Sequence, residues 1–419
     1  MVKNYTKLPS KRDTSILIGN SLDHFDTTLY GFLAPILAPI FFPNSDQIVS
    51  LIMAYSIIAT SILTRPLGVY IFGIIASKMG PLIGLSYSLI GIAITTVMIG
   101  FIPPYEVIGP YAPALLIIIR CIWGIFAAGE TAIAKLFILE DKTDHDALRS
   151  SYLYQASSMI GIVVASLAST IVIYFNISYG WRLCFLLGGV TGFIGYYIRK
   201  YNSDTSFVKK NNFIKLYSID GIITLLRYKE VLLKVAILNS FSYITYSIPF
   251  IVMNNLIPLI TDIDLKTMMS FNTILLVLDL LLIPVVGAKL LKYDFKKIML
   301  YSSSCLMITI LPLWYYIQGA SLFYICFVRI WIVFLGVIFL CPLNIWCQKL
   351  IPGGDKYLVI GIGNAIGAST IGKMTPAICL SLYYYSNSPV AVGIYIFAIT
   401  LATVLVITDF FPNILKKFE

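Results

Sequence analysis

The chain has 419 residues, of which 58% are hydrophobic and only 12% charged, with a mean hydropathy of +0.88. A soluble protein of that length could not cover itself with so little charge, and repeated apolar stretches of about 20 residues read as membrane-spanning helices. The net charge of +10 would suit a nucleic-acid binder, but the basic residues gather in loops between apolar stretches, which argues against that class.

Twelve spans are expected, near residues 15–41, 50–76, 82–102, 112–138, 149–175, 181–200, 232–260, 268–290, 297–317, 321–348, 357–384 and 388–411. The first carries Asp23 and Asp26, where a carboxylate costs about 2.5–3.5 kcal/mol on insertion scales. With Tyr30 they fall at i, i+3 and i+7, so a helix puts all three on one polar face and leaves the rest of the span to lipid. Such a face points to a solute or proton pathway. The stretch is long, carries acids and lacks a small-residue cleavage site, so it does not read as a signal peptide. His24, beside the pair, reads either as a group titrating near neutral pH or as a packing and hydrogen-bonding residue.

The second span holds Arg65 before Pro66 and is followed by Gly73, Lys78 and Gly80 in "GIIASKMG". The eighth is followed by "GAKLLKYDFKK", with Gly287 and Lys292, so both place a cation five residues after a glycine. Matching loops in equivalent positions suggest two parallel repeats. The fourth span contains Arg120 and, ten residues on, Glu130. A buried cation needs a partner, and Asp23 or Asp26 is the natural candidate.

Between spans six and seven lies the longest charged segment, Arg199–Lys234, with eight basic and three acidic residues. It divides the chain into a first bundle (1–200), a linker (201–231) and a second bundle (232–419). Ile214–Lys234 reads either as an amphipathic surface helix or as part of a solvated tether. Even-numbered loops and both tails hold about 23 of the 30 basic residues. Odd-numbered loops hold two, Arg182 and Lys266, which places both termini in the cytoplasm.

In the second half Asp279, Arg329 and Lys373 are intramembrane charges, and Asp279 and Lys373 are expected to pair structurally. "GASTIGKM" (Gly367–Met374) nearly matches a P-loop, but Met374 stands where Ser or Thr would hold magnesium and the segment lies in an apolar span. Its small residues suit close helix packing instead. The seven cysteines all lie in apolar stretches without a CxxC spacing and read as small core residues. The two histidines, His24 and His145, are far apart, so neither a metal nor a cofactor is expected.

These residues together resemble the metabolite:proton symporter branch of the major facilitator superfamily, which includes proline/betaine, shikimate and 2-oxoglutarate carriers. The resemblance rests on "GNSLDHFDTTLYG" (Gly19–Gly31), "RPLGVYIFG" (Arg65–Gly73), "RCIWGIFAAGE" (Arg120–Glu130), Glu140 with Arg149, "WRLCFLLGG" (Trp181–Gly189) and "KLIPGGDKYLVIGIGNAIGASTIGKMTP" (Lys349–Pro376). It covers about residues 16–410. The branch's loop after helix 2 usually reads G-x-x-x-D-R-x-G-R-[RK]; here Ser77 replaces the acid, Lys78 the first basic residue and Pro81–Leu82 the final pair. The second-half E-x-x-P-x-x-x-R stands as Lys349, Pro352 and Lys356, which leaves Glu140 with Arg149 as one inner-gate pair.

The resemblance implies an all-α membrane protein of about twelve helices in two pseudo-symmetric six-helix bundles, rocking about a midplane cavity. It implies no enzyme, but a proton-coupled symporter importing a small polar metabolite, such as a zwitterionic compatible solute (proline or betaine) or a carboxylate. Asp23, Asp26, Arg120 and Glu130 would serve proton coupling, and a protonated acid would release Arg120 to a substrate carboxylate. Asp26, Tyr30, Arg120 and Arg329, the last on a cavity-lining span, would meet substrate. Arg65 would be an anion anchor or the family's structural Arg-Pro. Gly73, Lys78, Gly80, Glu140, Arg149 and Lys292 would form the cytoplasmic gate. The partners would be small-molecule substrate, protons and the bilayer of a bacterial inner membrane. An uncoupled facilitator, an antiporter or a transport-dead solute sensor is the alternative. Only "PNILKKFE" follows the last span, too little for about three to four heptads, so activity is expected not to depend on a tail coiled coil such as some osmosensing relatives carry.

Overall fold

A computed structural model describes residues 10–43, 45–139, 144–201, 219–290, 293–351 and 355–408. Among them run twelve long helices and no strand. The first six are α1 (Lys11–Phe41), α2 (Gln47–Met79), α3 (Pro81–Phe101), α4 (Tyr111–Leu139), α5 (Asp144–Tyr174) and α6 (Gly180–Tyr201). The second six are α7 (Lys229–Ile260), α8 (Leu265–Leu290), α9 (Phe295–Tyr315), α10 (Leu322–Gln348), α11 (Asp355–Ile366, Gly367–Gly372 and Lys373–Ser386) and α12 (Val390–Ile407).

Each helix lies where a span is expected, and several begin a few residues early because a polar residue caps them. Ser10 accepts from the Asp13 amide, Asp46 from Ile48, Asp294 from Lys297 and Ser321 from Tyr324. Asp264 does the same for Thr267 ahead of α8, and these hydrogen bonds from Thr267 hold its carboxyl below the ordinary range. Among the described residues, ten helical stretches are long and apolar enough to cross a membrane; α1 is not among them, because Asn20, Asp23, His24 and Asp26 dilute it. The nine-residue helix Ile219–Arg227 precedes α7, in the segment read as amphipathic, while 202–218 lies outside the described residues.

The pairing of helices repeats between the halves. In the first, α1 packs on α5, α2 on α4 and α3 on α6; in the second, α7 packs on α11, α8 on α10 and α9 on α12. Glycines mark equivalent close approaches. A Cβ at Gly161 of α5 would overlap the Ser21 carbonyl of α1, and one at Gly367 of α11 would overlap the Ala236 carbonyl of α7. Small residues allow such approaches where lipid supplies no hydrophobic drive between helices.

The halves meet through α2 with α11 and α5 with α8, again a symmetric pair. The contacts described in detail gather on the face remote from the start of α1 and the end of α12. There Ile248–Ile260 of α7 packs in one core with Ala34 and Ala38 of α1 and Leu51, Ala54 and Tyr55 of α2. The Asn255 amide donates to the Tyr55 hydroxyl (2.8 Å), Thr170 donates to the Met269 carbonyl (3.1 Å), and Ser166 and Thr273 hydroxyls bond at 2.9 Å.

Two helices contain π-helical turns, Ile248–Val252 in α7 and Gly367–Gly372 in α11. Both occupy the middle of a span, in elements that pack together. Such turns shift the register of every later side chain and are frequent at functional sites. The near P-loop is therefore a helical bulge, with Lys373 directly after it.

Candidate functional site

The site is built on α1, which α5 braces. The Asn20 side-chain amide donates to Ser157 Oγ (2.8 Å), Ser158 Oγ (2.8 Å) and the Tyr154 carbonyl (3.0 Å). The Asn20 carbonyl accepts from His24 Nδ1 at 2.9 Å, and that nitrogen lies 3.9 Å from Asp23 Oδ2. The His24 side chain is 32% exposed. It sits within electrostatic range of Glu130, Arg65 and Lys373, so this opening faces an internal cleft.

The two acids do not share one environment. Asp23 lies within range of Arg65 of α2, Tyr243 of α7 and Lys373 of α11, and so faces the boundary between the halves. Asp26 is 2% exposed and lies against Gly188 of α6, beside Thr96 of α3. Neither Asp26 oxygen has a well-formed hydrogen bond. The expected single polar face divides because an i, i+3 pair is offset by about 60° on a helix, and α1 is surrounded. Its buried residues include Phe25, Thr28 and Phe32, which lie on the opposite side, so the expected lipid-facing remainder is instead interior.

Arg120 lies over the Tyr30 ring at 4.0 Å and 5.2 Å from Trp123, and forms no ion pair with either aspartate. Asp26 remains within electrostatic range of it. A desolvated cation over an aromatic face gains about 2 kcal/mol, which helps hold Arg120 in place without a carboxylate. The Tyr30 hydroxyl donates to the Ala54 carbonyl of α2 (3.1 Å), so the ring is fixed beneath the guanidinium. Lys373 lies 5.7 Å from the same Trp123 ring.

Lys373 is thus part of the central cluster and does not pair with Asp279. The misplacement has a physical reason: α11 packs against α2 across the boundary, and its π-turn precedes Lys373. Asp279 lies instead near Tyr246 of α7 and Cys341 of α10. Arg329 is fully buried and donates to the Asn272 side-chain carbonyl, and Asn272 in turn donates to Ser166 Oγ of the first half (3.2 Å). It lies in a polar contact between α10, α8 and α5, apart from the Asp23 cluster.

Glu130 is fully buried. Of the expected gate residues, Gly73 is buried in α2, Lys78 is exposed at its end, and Gly80 turns into α3 at a φ of 101°, where glycine is favoured. Glu140 and Lys292 lie outside the described residues, and Arg149 lies on α5, with its side chain outside the description. The sequence reading did not single out Trp123, Tyr243, Tyr246 or Thr96. Aromatic residues make up 14% of the chain, so ring residues alone carried no signal. A separate cavity of 710 Å³ lies between α1, α5, α6 and α8 on the remote face, lined by Ile36, Val172, Trp181 and Lys266, and does not touch the charged cluster.

The family model described as Major Facilitator Superfamily matches residues 16–374. The chain belongs to the major facilitator superfamily. This facilitator is accordingly a multi-pass membrane protein. It is 35% identical over 194 residues to the proline/betaine transporter of Escherichia coli (strain K12), a match covering 45% of this chain and 39% of that transporter. It is 26% identical over 409 residues to a Staphylococcus aureus (strain COL) protein named "Putative proline/betaine transporter", covering 93% of this chain and 86% of that one. The resemblance to the proline/betaine branch thus extends through both halves. Among solved structures, the xylose transporter XylE from E. coli in a partially occluded inward open conformation has a TM-score of 0.73. At 12% identity, covering 96% of this chain and 97% of that one, this likeness is one of fold.

Proposed function

We propose that this facilitator is a proton-coupled symporter of a bacterial inner membrane that imports a small zwitterion of the proline or betaine kind. The observation that carries the reading is the charge balance at the cleft. Arg65, Arg120 and Lys373 stand near Asp23, Asp26 and Glu130, and both Asp26 oxygens are buried without a well-formed hydrogen bond in a fully packed setting. An unpaired buried carboxylate is costly, and a proton removes that cost. Once Asp26 is protonated, the cluster holds one more cation than anion. A substrate carboxylate restores neutrality, so proton and substrate favour each other's binding, which is the coupling a symporter needs.

The relatives' names support the substrate class, and a second similar structure is of a proton:xylose symporter, so this fold carries proton coupling in that protein. The basic loops support a cytoplasmic position for both termini and the linker. The halves then meet on the outer side, and the cleft beside His24 opens inward. Asp23 and Arg65 hold the boundary charge, and Glu130 acts with His24 on the cytoplasmic side of the cluster.

Uptake of labelled proline and glycine betaine by proteoliposomes tests the proposal. An inward proton gradient should drive accumulation, and a protonophore should abolish it. Asp26→Asn keeps the shape and removes the titratable site, so it should lose accumulation while retaining equilibrium exchange. Asp23→Asn should instead weaken binding. Flux indifferent to the proton gradient would identify an uncoupled facilitator, and binding without flux a sensor; either result overturns the proposal.

A further inference from the structure

Asp279 is an intramembrane acid that the coupling cluster does not use. It is 7% exposed, and no hydrogen bond or ion pair from the described residues reaches it. No charged side chain among the described residues lies within electrostatic range of it. Arg329, on the neighbouring α10, is committed to Asn272, seven residues away from Asp279 on α8. Asp279 belongs to the inward stripe of α8, with Asn272, Leu276 and Ile283, while Val277, Leu278 and Leu281 face outward. A carboxylate so placed is stabilised either by a proton or by a positive charge that the described residues do not provide.

The surroundings specify what kind of cation would fit. Tyr246, one helical turn from Tyr243 on α7, lies within electrostatic range of Asp279. Its hydroxyl is buried and without a hydrogen-bond partner. The Tyr243 and Tyr246 rings are 6.0 Å apart, and Phe250 continues the row at 5.3 Å. Tyr243 also lies near Arg65 and Asp23 and abuts Gly372, next to Lys373. The two tyrosines therefore connect a cation-rich pole, at Arg65 and Lys373, with an uncompensated acidic pole at Asp279. Aromatic rings within electrostatic range of a carboxylate suit an alkylated ammonium, which both attract, and a quaternary one requires no hydrogen-bond acceptors.

We propose that Asp279, with the rings of Tyr243 and Tyr246, binds the cationic end of the substrate, and that this group is a substituted or quaternary ammonium. The inference rests on the zwitterion reading above and deepens it: the ligand spans the boundary with its carboxylate toward Arg65 and Lys373 and its ammonium toward α8.

The test compares glycine betaine with tert-butylacetate, its uncharged-headed carbon isostere, in proteoliposome uptake. The wild type should favour betaine strongly. Asp279→Asn should raise the betaine KM about thirtyfold or more, as loss of a buried charge partner does, and leave the tert-butylacetate KM unchanged. Tyr246→Leu, which keeps the acid, should reduce the same preference. Tetramethylammonium alone should raise the melting temperature of the purified wild type and not of Asp279→Asn. This arm decides the inference even if betaine and proline prove not to be transported, a result that would sink the zwitterion reading by itself. Unchanged betaine preference in Asp279→Asn, or no tetramethylammonium stabilisation of the wild type, would overturn the inference.

Discussion

The Asn255–Tyr55 hydrogen bond joins the halves on the face where they are closed, so removing it should shift the balance between conformations. Tyr55 is fully buried; its hydroxyl accepts from Asn255 at 2.8 Å and donates to the Gly31 carbonyl at 2.9 Å. The second bond joins α2 to α1 within one half and is lost equally from both conformations in Tyr55→Phe. The first exists only while the halves touch here. Asn255 keeps its bond to the Ile251 carbonyl (2.8 Å), so the substitution does not orphan the amide. One net hydrogen bond is worth about 1 kcal/mol, which corresponds to about a fivefold change in the equilibrium. Spin labels at Glu106→Cys and Gln318→Cys, exposed on the two halves at this face, would report the separated population in a background without native cysteines. Tyr55→Phe should raise the separated-to-closed ratio about fivefold, Asn255→Leu should do much the same, and the double variant should add little. Single variants that leave the ratio unchanged, or effects that simply add in the double variant, would refute the assignment of this bond as a latch between halves.

Lys373→Met should raise the substrate KM about tenfold or more, because a charge-assisted contact worth about 1.5–3 kcal/mol is lost, with proton-gradient dependence retained; an unchanged KM would remove Lys373 from the anion pole. Gly68→Ala should lower the melting temperature, since its Cβ would overlap the Ile125 backbone of α4, at a cost of about 1–3 kcal/mol. Gly361→Ala, where a Cβ meets nothing within 4 Å, should be neutral or mildly stabilising. A single cysteine at position 210 should resist an impermeant thiol reagent applied from outside intact cells; efficient labelling there would invert the proposed orientation.

The bilayer explains which parts of this protein are legible in its sequence. A backbone crossing hydrocarbon must satisfy its own hydrogen bonds, so each apolar stretch of sufficient length commits to a helix, and hydropathy places most of the helices along the chain. The same solvent erases the signal that orients a helix in water. Phe323 is 86% exposed and Leu63 82% exposed, yet both are as apolar as fully buried Leu29 or Phe241. Only polar side chains then distinguish inside from outside, which is why Asp23, Asp26 and Arg120 could be singled out and Trp123, Tyr243 and Tyr246 could not. Charges themselves reveal that an interior exists, but not which neighbour they meet there. Lys373 and Asp279 look alike in sequence, each a lone charge in an apolar run, and pairing them satisfies both on paper. Packing decides otherwise: α11 lies against α2 and its π-turn precedes Lys373, which sits beside Trp123, whereas α8 lies against α5 and its inward stripe carries Asp279 to Tyr246. Two opposite charges that could have cancelled are held on different helices near the same pair of tyrosines. Keeping them apart costs stability, and the proposed ligand, with both charges, would recover it.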